Sequence, residues 1–349
     1  MEYENGLILL QEFIRKRPSL LVGSGLSVSM GIPGMDGLLK QLNDTFTNTL
    51  NTTELSEWKA CYKYIQQLGF EAGLLKKKVS GSLLKHIINE TAKFIDSYDE
   101  EFCEKVYKMK ISDYPFAKLI NHLILSLPPS KPVLDIVTTN YDHLVEYACD
   151  LIQVECCTGF KGSNIKYFKN EYLKDNFYRR ALTTIKGKQN LEYRAIPKVR
   201  LLKPHGSLKW QKSGDVFFQS NKIHIESERV IITPGSTKFE ASLTDFVMNT
   251  HRETANDAIN RAESVIVLGY GFNDSHLQTV LAERLKDGLE CLILTRSLTA
   301  NAKSIIRSCN QVIALERESE LNTRWYYNGQ EGIWDEPIWD LNHFVNRII

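Results

Sequence analysis

The chain has 349 residues, 43% of them apolar, and 43 basic against 42 acidic side chains give a formal net charge of +1. That is apolar material for a sizeable core in two domains or one enlarged domain, and so balanced a charge argues against a broad basic surface for nucleic acid. No run of about 20 apolar residues reads as a membrane span. The seven cysteines are odd in number and include no C-x-x-C pair, which argues against a disulfide scaffold and a four-cysteine zinc site and suits free thiols in a cytoplasmic protein.

The first residues, MEYENGLILLQEFIRKRPS, lack the basic start and cleavage site of a secretory leader. They read as an amphipathic helix over 7–15 that stops before Pro18. Next comes a short apolar run, 19–22, that drops into Gly23-Ser24-Gly25-Leu26-Ser27, followed by Gly31-Ile32-Pro33-Gly34. The spacing misses the usual dinucleotide fingerprint G-x-G-x-x-G, because Val28 stands where the third glycine is required. Further continuous apolar runs lie at 133–137, 199–202, 230–232, 265–268 and 291–294. Runs without alternation suit strands buried on both faces, hence a mostly parallel sheet. Helical stripes separate several of them, such as Leu277, Val280, Leu281 and Leu285, with Gly288 as a stop. The predicted fold is therefore α/β, a doubly wound, mostly parallel sheet whose ligands sit beyond the carboxyl ends of the strands.

Two stretches break this rhythm. Residues 37–130 carry helical stripes, such as Leu38, Leu39, Leu42 and Phe46, and read as a helical insertion or cap on a main domain made of 1–36 and 131–320. Within it, Lys76-Lys77-Lys78 reads as a solvated helix face. Residues 156–198, rich in Lys, Asn and Tyr, read as a lid or small irregular module within the main domain. The C-terminal segment, 321–349, holds Trp325, Tyr326, Tyr327, Trp334, Trp339 and Phe344. Such aromatics either anchor an interface between copies, making the protein a homo-oligomer, or cover the sheet edge or the helical cap within one subunit.

In a parallel sheet the strand ends gather along one rim. Here that rim would collect the 23–27 turn, Thr138-Thr139-Asn140-Tyr141-Asp142, Lys203-Pro204-His205-Gly206-Ser207, Thr233-Pro234-Gly235-Ser236 and Gly269-Tyr270-Gly271-Phe272-Asn273-Asp274. Taken singly, each piece has a plain structural reading: a tight strand–helix turn, a helix cap by Asp142, a histidine after proline.

Taken in order, they resemble the sirtuin family and its sirtuin-like relatives. The family's G-A-G-x-S loop, G-I-P segment, T-Q-N-x-D strand end, H-G motif and late glycine-rich loop find counterparts in Gly23-Ser24-Gly25-Leu26-Ser27, Gly31-Ile32-Pro33, Thr138-Thr139-Asn140-Tyr141-Asp142, His205-Gly206 and Gly269-Tyr270-Gly271. The resemblance spans about residues 19–300, though most of the helical insertion matches nothing specific. Two departures matter. No cysteine lies between His205 and Thr233, where deacetylase-type sirtuins carry paired zinc ligands, and Gly34-Met35-Asp36 follows the G-I-P segment where those enzymes have Asp-Phe-Arg.

The resemblance implies a Rossmann-like NAD-binding domain without zinc, close to the bacterial branch that hydrolyses NAD+ in antiviral defence, some members with a HerA-type ATPase partner. On this reading the protein is an NAD+ glycohydrolase that yields nicotinamide and ADP-ribose, and an abortive-infection effector. Gly23, Ser24, Gly25, Ser27 and Gly31 would receive the pyrophosphate at a helix start, and Gly269, Tyr270, Gly271, Phe272 and Asn273 the adenosine side. Asn140 would aim the nucleophile, since an amide both accepts and donates hydrogen bonds. Asp142 would hold the nicotinamide carboxamide. His205 would act as base, because an unperturbed imidazole titrates near ~6.5. Two other readings stand beside this one, an NAD-dependent protein deacylase and a non-catalytic module that senses NAD or ADP-ribose. Binding alone would need neither Asn140 nor His205.

Overall fold

The computed structural model describes residues 1–174, 178–185, 187–222, 227–232 and 246–349. Sixteen strands run through them in chain order. The first eight are β1 (Ser19–Val22), β2 (Val133–Thr138), β3 (Cys156–Cys157), β4 (Phe160–Gly162), β5 (Lys166–Phe168), β6 (Tyr178–Ile185), β7 (Lys188–Ala195) and β8 (Lys198–Leu202). The rest are β9 (Gly206–Ser213), β10 (Val216–Gln219), β11 (Glu228–Ile231), β12 (Ser264–Leu268), β13 (Glu290–Thr295), β14 (Val312–Arg317), β15 (Thr323–Tyr327) and β16 (Gln330–Trp334). The helices are α1 (Tyr3–Arg15), α2 (Ser24–Ser29), α3 (Met35–Thr49), α4 (Thr52–Leu68), α5 (Phe70–Lys76), α6 (Gly81–Val106), α7 (Pro115–Leu125), α8 (Leu144–Leu151), α9 (Glu171–Lys174), α10 (Phe246–Arg261), α11 (Ser275–Lys286), α12 (Ala300–Ser308) and α13 (Leu341–Ile348). Among the described residues, no helix is long and apolar enough to cross a membrane.

The central sheet has nine strands in the order β16-β15-β14-β13-β12-β1-β2-β8-β3. From β14 to β3 every pairing is parallel, and β15 and β16 join antiparallel at one edge. Apolar runs form such strands because successive side chains point to opposite faces, and here both faces are covered. On β1, Leu20 and Val22 enter one core and Leu21 the other. The same split divides Ile266 and Leu268 from Val265 and Val267, and Leu292 and Leu294 from Cys291 and Ile293. Each fully buried aliphatic side chain contributes about 1.5–3 kcal/mol over an exposed one. Helices α1 and α7 cover the first face, with Leu10, Phe13, Phe116 and Ile120 buried. Helices α10 and α11 cover the second, with Ala255, Ala258, Leu277 and Leu281.

Two strand expectations change. Residues 230–232 were expected in the parallel sheet, but β11 pairs antiparallel with β9 in a separate five-stranded sheet, β11-β9-β10-β5-β4. An apolar run reports burial and carries no information on which sheet buries it. The run Val312–Leu315, not singled out in the sequence, supplies β14, with Ile313 and Leu315 in the first core and Val312 and Ala314 in the second. Residues 156–198 contain β3, the β4–β5 pair of the second sheet, and the β6–β7 hairpin, which among the described residues forms a two-stranded sheet of its own.

Helices α3 to α6 build a core of their own around Leu42, Phe46, Trp58, Cys61, Leu83 and Ile87. Asn51 caps α4 by accepting from Glu54 N–H, and Ser80 caps α6 by accepting from Leu83 N–H. At the C-terminus, Trp325, Trp334 and Phe344 are buried within the subunit. Trp334 stacks on Trp325 and lies against α1 so closely that a methyl group at Gly6 would sit 2.2 Å from its ring. Of the two readings of these aromatics, coverage of a sheet edge accounts for these three.

Besides burying Phe102 and Val106 in the first core, the 26-residue α6 is tied to the turn after β2 and to α8 through one carboxylate. Asp99 is fully buried and accepts from the His143 backbone N–H at 2.7 Å and the Tyr147 hydroxyl at 2.8 Å, with His143 Nδ1 at 2.8 Å. Burial alone would raise this carboxyl, but the His143 charge and these hydrogen bonds outweigh it and hold the group at about 2. Because the folded value lies below the unfolded ~3.9, the contribution is present above about pH 4 and lost as the pH falls towards 2. Asp99→Asn should therefore cost on the order of 2 kcal/mol near pH 5, with a gap from the parent that shrinks as the pH falls from about 4 towards 2. Unfolding curves across that range check it, and a gap independent of pH would contradict it.

Candidate functional site

Beyond the carboxyl ends of β12, β1, β2 and β8, which are neighbours in the sheet, lies a cavity of about 250 Å³. The turn after β1 contributes Ser24 and Ser27 to its lining, and the loop before α3 contributes Ile32, Pro33 and Gly34. The turn after β2 contributes Thr139, Asn140, Tyr141 and Asp142. His205 follows β8, and Tyr270, Gly271, Asn273 and Asp274 follow β12. Leu38 of α3 and Ile95 of α6 close it from the helical side. Asn140, His205, Ser24, Ser27, Asp142, Tyr270, Gly271 and Asn273 are thus brought together. Gly23, Gly25, Gly31 and Gly269 are not among the lining residues, and Phe272 is fully buried in the second core. The rim segment 233–236 lies outside the described residues.

The glycines of the rim have a local reason. Gly23 N–H donates to Leu268 O and Gly25 N–H to Gly269 O, both at 2.9 Å. A methyl group on Gly25 would lie 2.6 Å from the Gly269 Cα, and one on Gly269, at φ +56°, 2.5 Å from the Gly25 Cα. These donors were expected to face a pyrophosphate. The chain itself uses them to join two strand ends, which leaves Ser24 and Ser27 as the members of the turn that line the cavity. Gly31, at φ +91°, turns the chain out of α2.

Asn140 is held firmly. Its Nδ2 donates to Gly23 O and to Ser27 Oγ, each at 2.9 Å. A carbonyl can only accept, so this contact fixes which end of the amide is which. Both amide hydrogens are spent, and Oδ1 is the atom left to meet a ligand, as an acceptor alone. Towards a ligand the side chain is therefore an acceptor. Ser27 Oγ donates in turn to Asp142 Oδ2 at 2.6 Å, and Asp142 Oδ1 accepts from Leu144 N–H at 3.3 Å, at the start of α8. Burial raises the Asp142 carboxyl, and Lys203 and the Ser27 bond pull it part of the way back.

The roles of three residues escape a sequence reading, although two of them stand in the rim segments. Lys203, fully buried, donates to Asp142 O at 2.5 Å and to Glu146 Oε1 at 3.0 Å, so it braces the Asn140 turn from below. Its only signal is a cation placed just after an apolar strand. His143 sets Nδ1 against Asp99 and Nε2 3.2 Å from Ser207 Oγ, and nothing in the acidic stretch around Asp99 marks that partner. Asp274 brings Oδ2 to 2.6 Å from His205 Nε2, a pairing that its place in the 269–274 segment does not reveal. These contacts give the cavity a fixed acceptor, an imidazole and a buried carboxylate within one wall.

The close approach of the two turns gives a stability test. Gly25→Ala sets a methyl against backbone that cannot yield and should cost ~1–3 kcal/mol. Gly34→Ala, whose methyl would meet only the Val28 side chain at 3.2 Å, should stay within about 0.5 kcal/mol of the parent. Denaturant unfolding of both decides it, and equal stabilities would contradict the contact.

Comparison with known proteins adds the following. A family model described as a SIR2-like domain matches residues 135–310, just over half of the chain. No curated protein matches it. Among solved structures, a Sir2 enzyme studied for mechanism and regulation is similar at 13% identity and a TM-score of 0.45, over 100% of this chain and 98% of that one. A Sir2 homolog–NAD complex is similar at 14% and 0.43, over 90% and 88%. A Sir2 complex with a p53 peptide and NAD+ is similar at 13% and 0.42, over 100% and 97%. By its family match, the chain belongs to the SIR2-like family.

Proposed function

We propose that the protein is an NAD+ glycohydrolase with Asn140 and His205 as its catalytic residues. The observation that carries this reading is the meeting of Asn140 and His205 in one cavity at the strand ends, with Asn140 locked so that its carbonyl oxygen alone is free to act. Family membership supports NAD+ as the substrate. The pyrophosphate would run past Ser24, with the adenosine towards Gly271 and Asn273 and the nicotinamide ribose towards Asn140.

The bond between the ribose C1′ and the nicotinamide nitrogen breaks, and its electron pair stays with nicotinamide. The pyridinium becomes a neutral ring, so the leaving group needs no acid. The barrier is the oxocarbenium-like ribosyl centre, which positioned dipoles stabilise. Asn140 Oδ1 is suited to that charge and to accepting from the attacking water. Water forms the new bond to C1′ and gives its proton to His205, completing nicotinamide, ADP-ribose and one proton. Asp142 serves this site through Ser27, which links it to Asn140. The motif resemblance extends the proposal to depletion of NAD+ in antiviral defence, with a HerA-type ATPase partner and without zinc; the free cysteines suit the cytoplasm, and the aromatic chain end a homo-oligomer.

Nicotinamide release from NAD+ should occur without any acyl-lysine peptide. Release only when such a peptide is present would instead establish a deacylase, and binding without turnover a sensor. His205→Ala should slow release by ~10²–10⁴-fold, the usual worth of a general base. Asn140→Ala should do the same and also lose about 1–2 kcal/mol of stability, since Gly23 O loses a donor. Folded variants that hydrolyse NAD+ at the parent rate would remove the catalytic assignment.

A further inference from the structure

We propose that Asp274 is the positioning residue for His205, which fixes the imidazole tautomer so that Nδ1 is the basic nitrogen. This rests on the hydrolase reading for its kinetic consequence, and on geometry alone for the tautomer.

Asp274 divides its carboxylate between two tasks. Oδ1 accepts from Leu277 N–H at 3.1 Å, and the backbone carbonyl accepts from Gln278 N–H at 2.9 Å, so the residue caps α11. Oδ2 reaches His205 Nε2 at 2.6 Å, across from one strand end to another. An ionised carboxylate has only lone pairs to offer. A neutral imidazole at that distance is favoured with its proton on Nε2, because the carboxylate's negative charge attracts that proton and repels a lone pair in its place. The proton is then absent from Nδ1, and among the described residues no group bonds that nitrogen. The approach is a close ionic contact rather than an aligned hydrogen bond. Pairs of this kind commonly straighten once substrate fills the site.

The placement is rigid. Phe272, two residues before Asp274, is fully buried at φ +55°, and Gly269 is pinned against Gly25. Thr299 Oγ1 donates to Gly271 O at 2.6 Å. Asp274 itself is only 6% exposed, so an imidazolium formed beside it gains a poorly screened counter-charge. In the reaction, the proton from water moves to Nδ1, Nε2 keeps its own, and Asp274 remains ionised throughout.

The competing account is that Asp274 only caps α11. Asn caps a helix about as well as Asp, so Asp274→Asn separates the two. In that variant Oδ1 can still accept from Leu277 N–H, while Nδ2 faces His205 and favours the opposite tautomer. With full-length protein, Asp274→Asn should keep the parent melting temperature while kcat for nicotinamide release falls ~10²-fold or more and KM for NAD+ changes little. In a His205→Ala background the same substitution should have no further effect on kcat, because it acts through the missing ring. Parental kcat in Asp274→Asn, or a full loss that persists without His205, would overturn the proposal. Independently of activity, long-range ¹H–¹⁵N spectra of neutral His205, assigned by the signal lost in His205→Ala, should show the Nε2–H tautomer in the parent and a shift towards Nδ1–H in Asp274→Asn. An Nδ1–H ring in the parent would overturn it even if NAD+ were not the substrate. An Nε2–H ring in a protein that hydrolyses nothing would leave the positioning intact and remove the hydrolase reading.

Discussion

The arrangement depends on a contact in which no side chain takes part, Gly25 against Gly269. Neighbouring parallel strands lie about 4.8 Å apart, and turns that leave both at the same end normally splay to make room for their side chains. Here two glycines remove that need. The β1 and β12 turns touch through their Cα atoms and share a backbone hydrogen bond. Asn140 then crosses from β2 to Gly23 O, and Asp274 crosses from the β12 turn to His205 after β8. Four strand ends are stitched into one wall by contacts that tolerate little displacement.

Under that wall the structure spends charge where it is costly. Lys203 and Asp99 are both fully buried, and each is committed to backbone groups of the Asn140–His143 turn. A buried ion needs nearly complete hydrogen bonding to be tolerated, and breaking one partner is far more costly than the pair is worth. Their value is geometric. Lys203 supports the turn from the sheet and Asp99 from the helical segment, so α6 is coupled to the site through His143. Ile95 on the same helix lines the cavity, which gives the helical segment both a wall and a brace.

The sheet was legible because strands buried on both faces must be apolar at every position, and five of the six expected runs fall in it. The sixth, at 230–232, is equally apolar but belongs to the second sheet, since burial leaves the same mark in either. The rim was legible in part because strand ends in a parallel sheet converge by topology, so Asn140, Asp142 and His205 could be gathered without coordinates. What the residues do to one another was not. Which amide atom of Asn140 is free depends on Gly23 O, and the second oxygen of Asp274 depends on a residue 69 positions earlier. Asp99 sits among Asp96, Glu100 and Glu101, where a solvated acidic face is the natural reading. The roles of Gly23 and Gly25 were the least legible, because glycine is equally suited to a phosphate and to another backbone.

On the proposed function, the wall formed by Asn140 and His205 receives the nicotinamide ribose of NAD+. A crystal structure of the His205→Ala variant soaked with NAD+ tests it most directly, since slowed turnover leaves the substrate intact. The expected result is a ribose whose C1′ faces Asn140 Oδ1 in close contact, with the adenosine beside Gly271 and Asn273. NAD+ bound away from Asn140, or a well-formed cavity that stays empty under saturating NAD+, would contradict it.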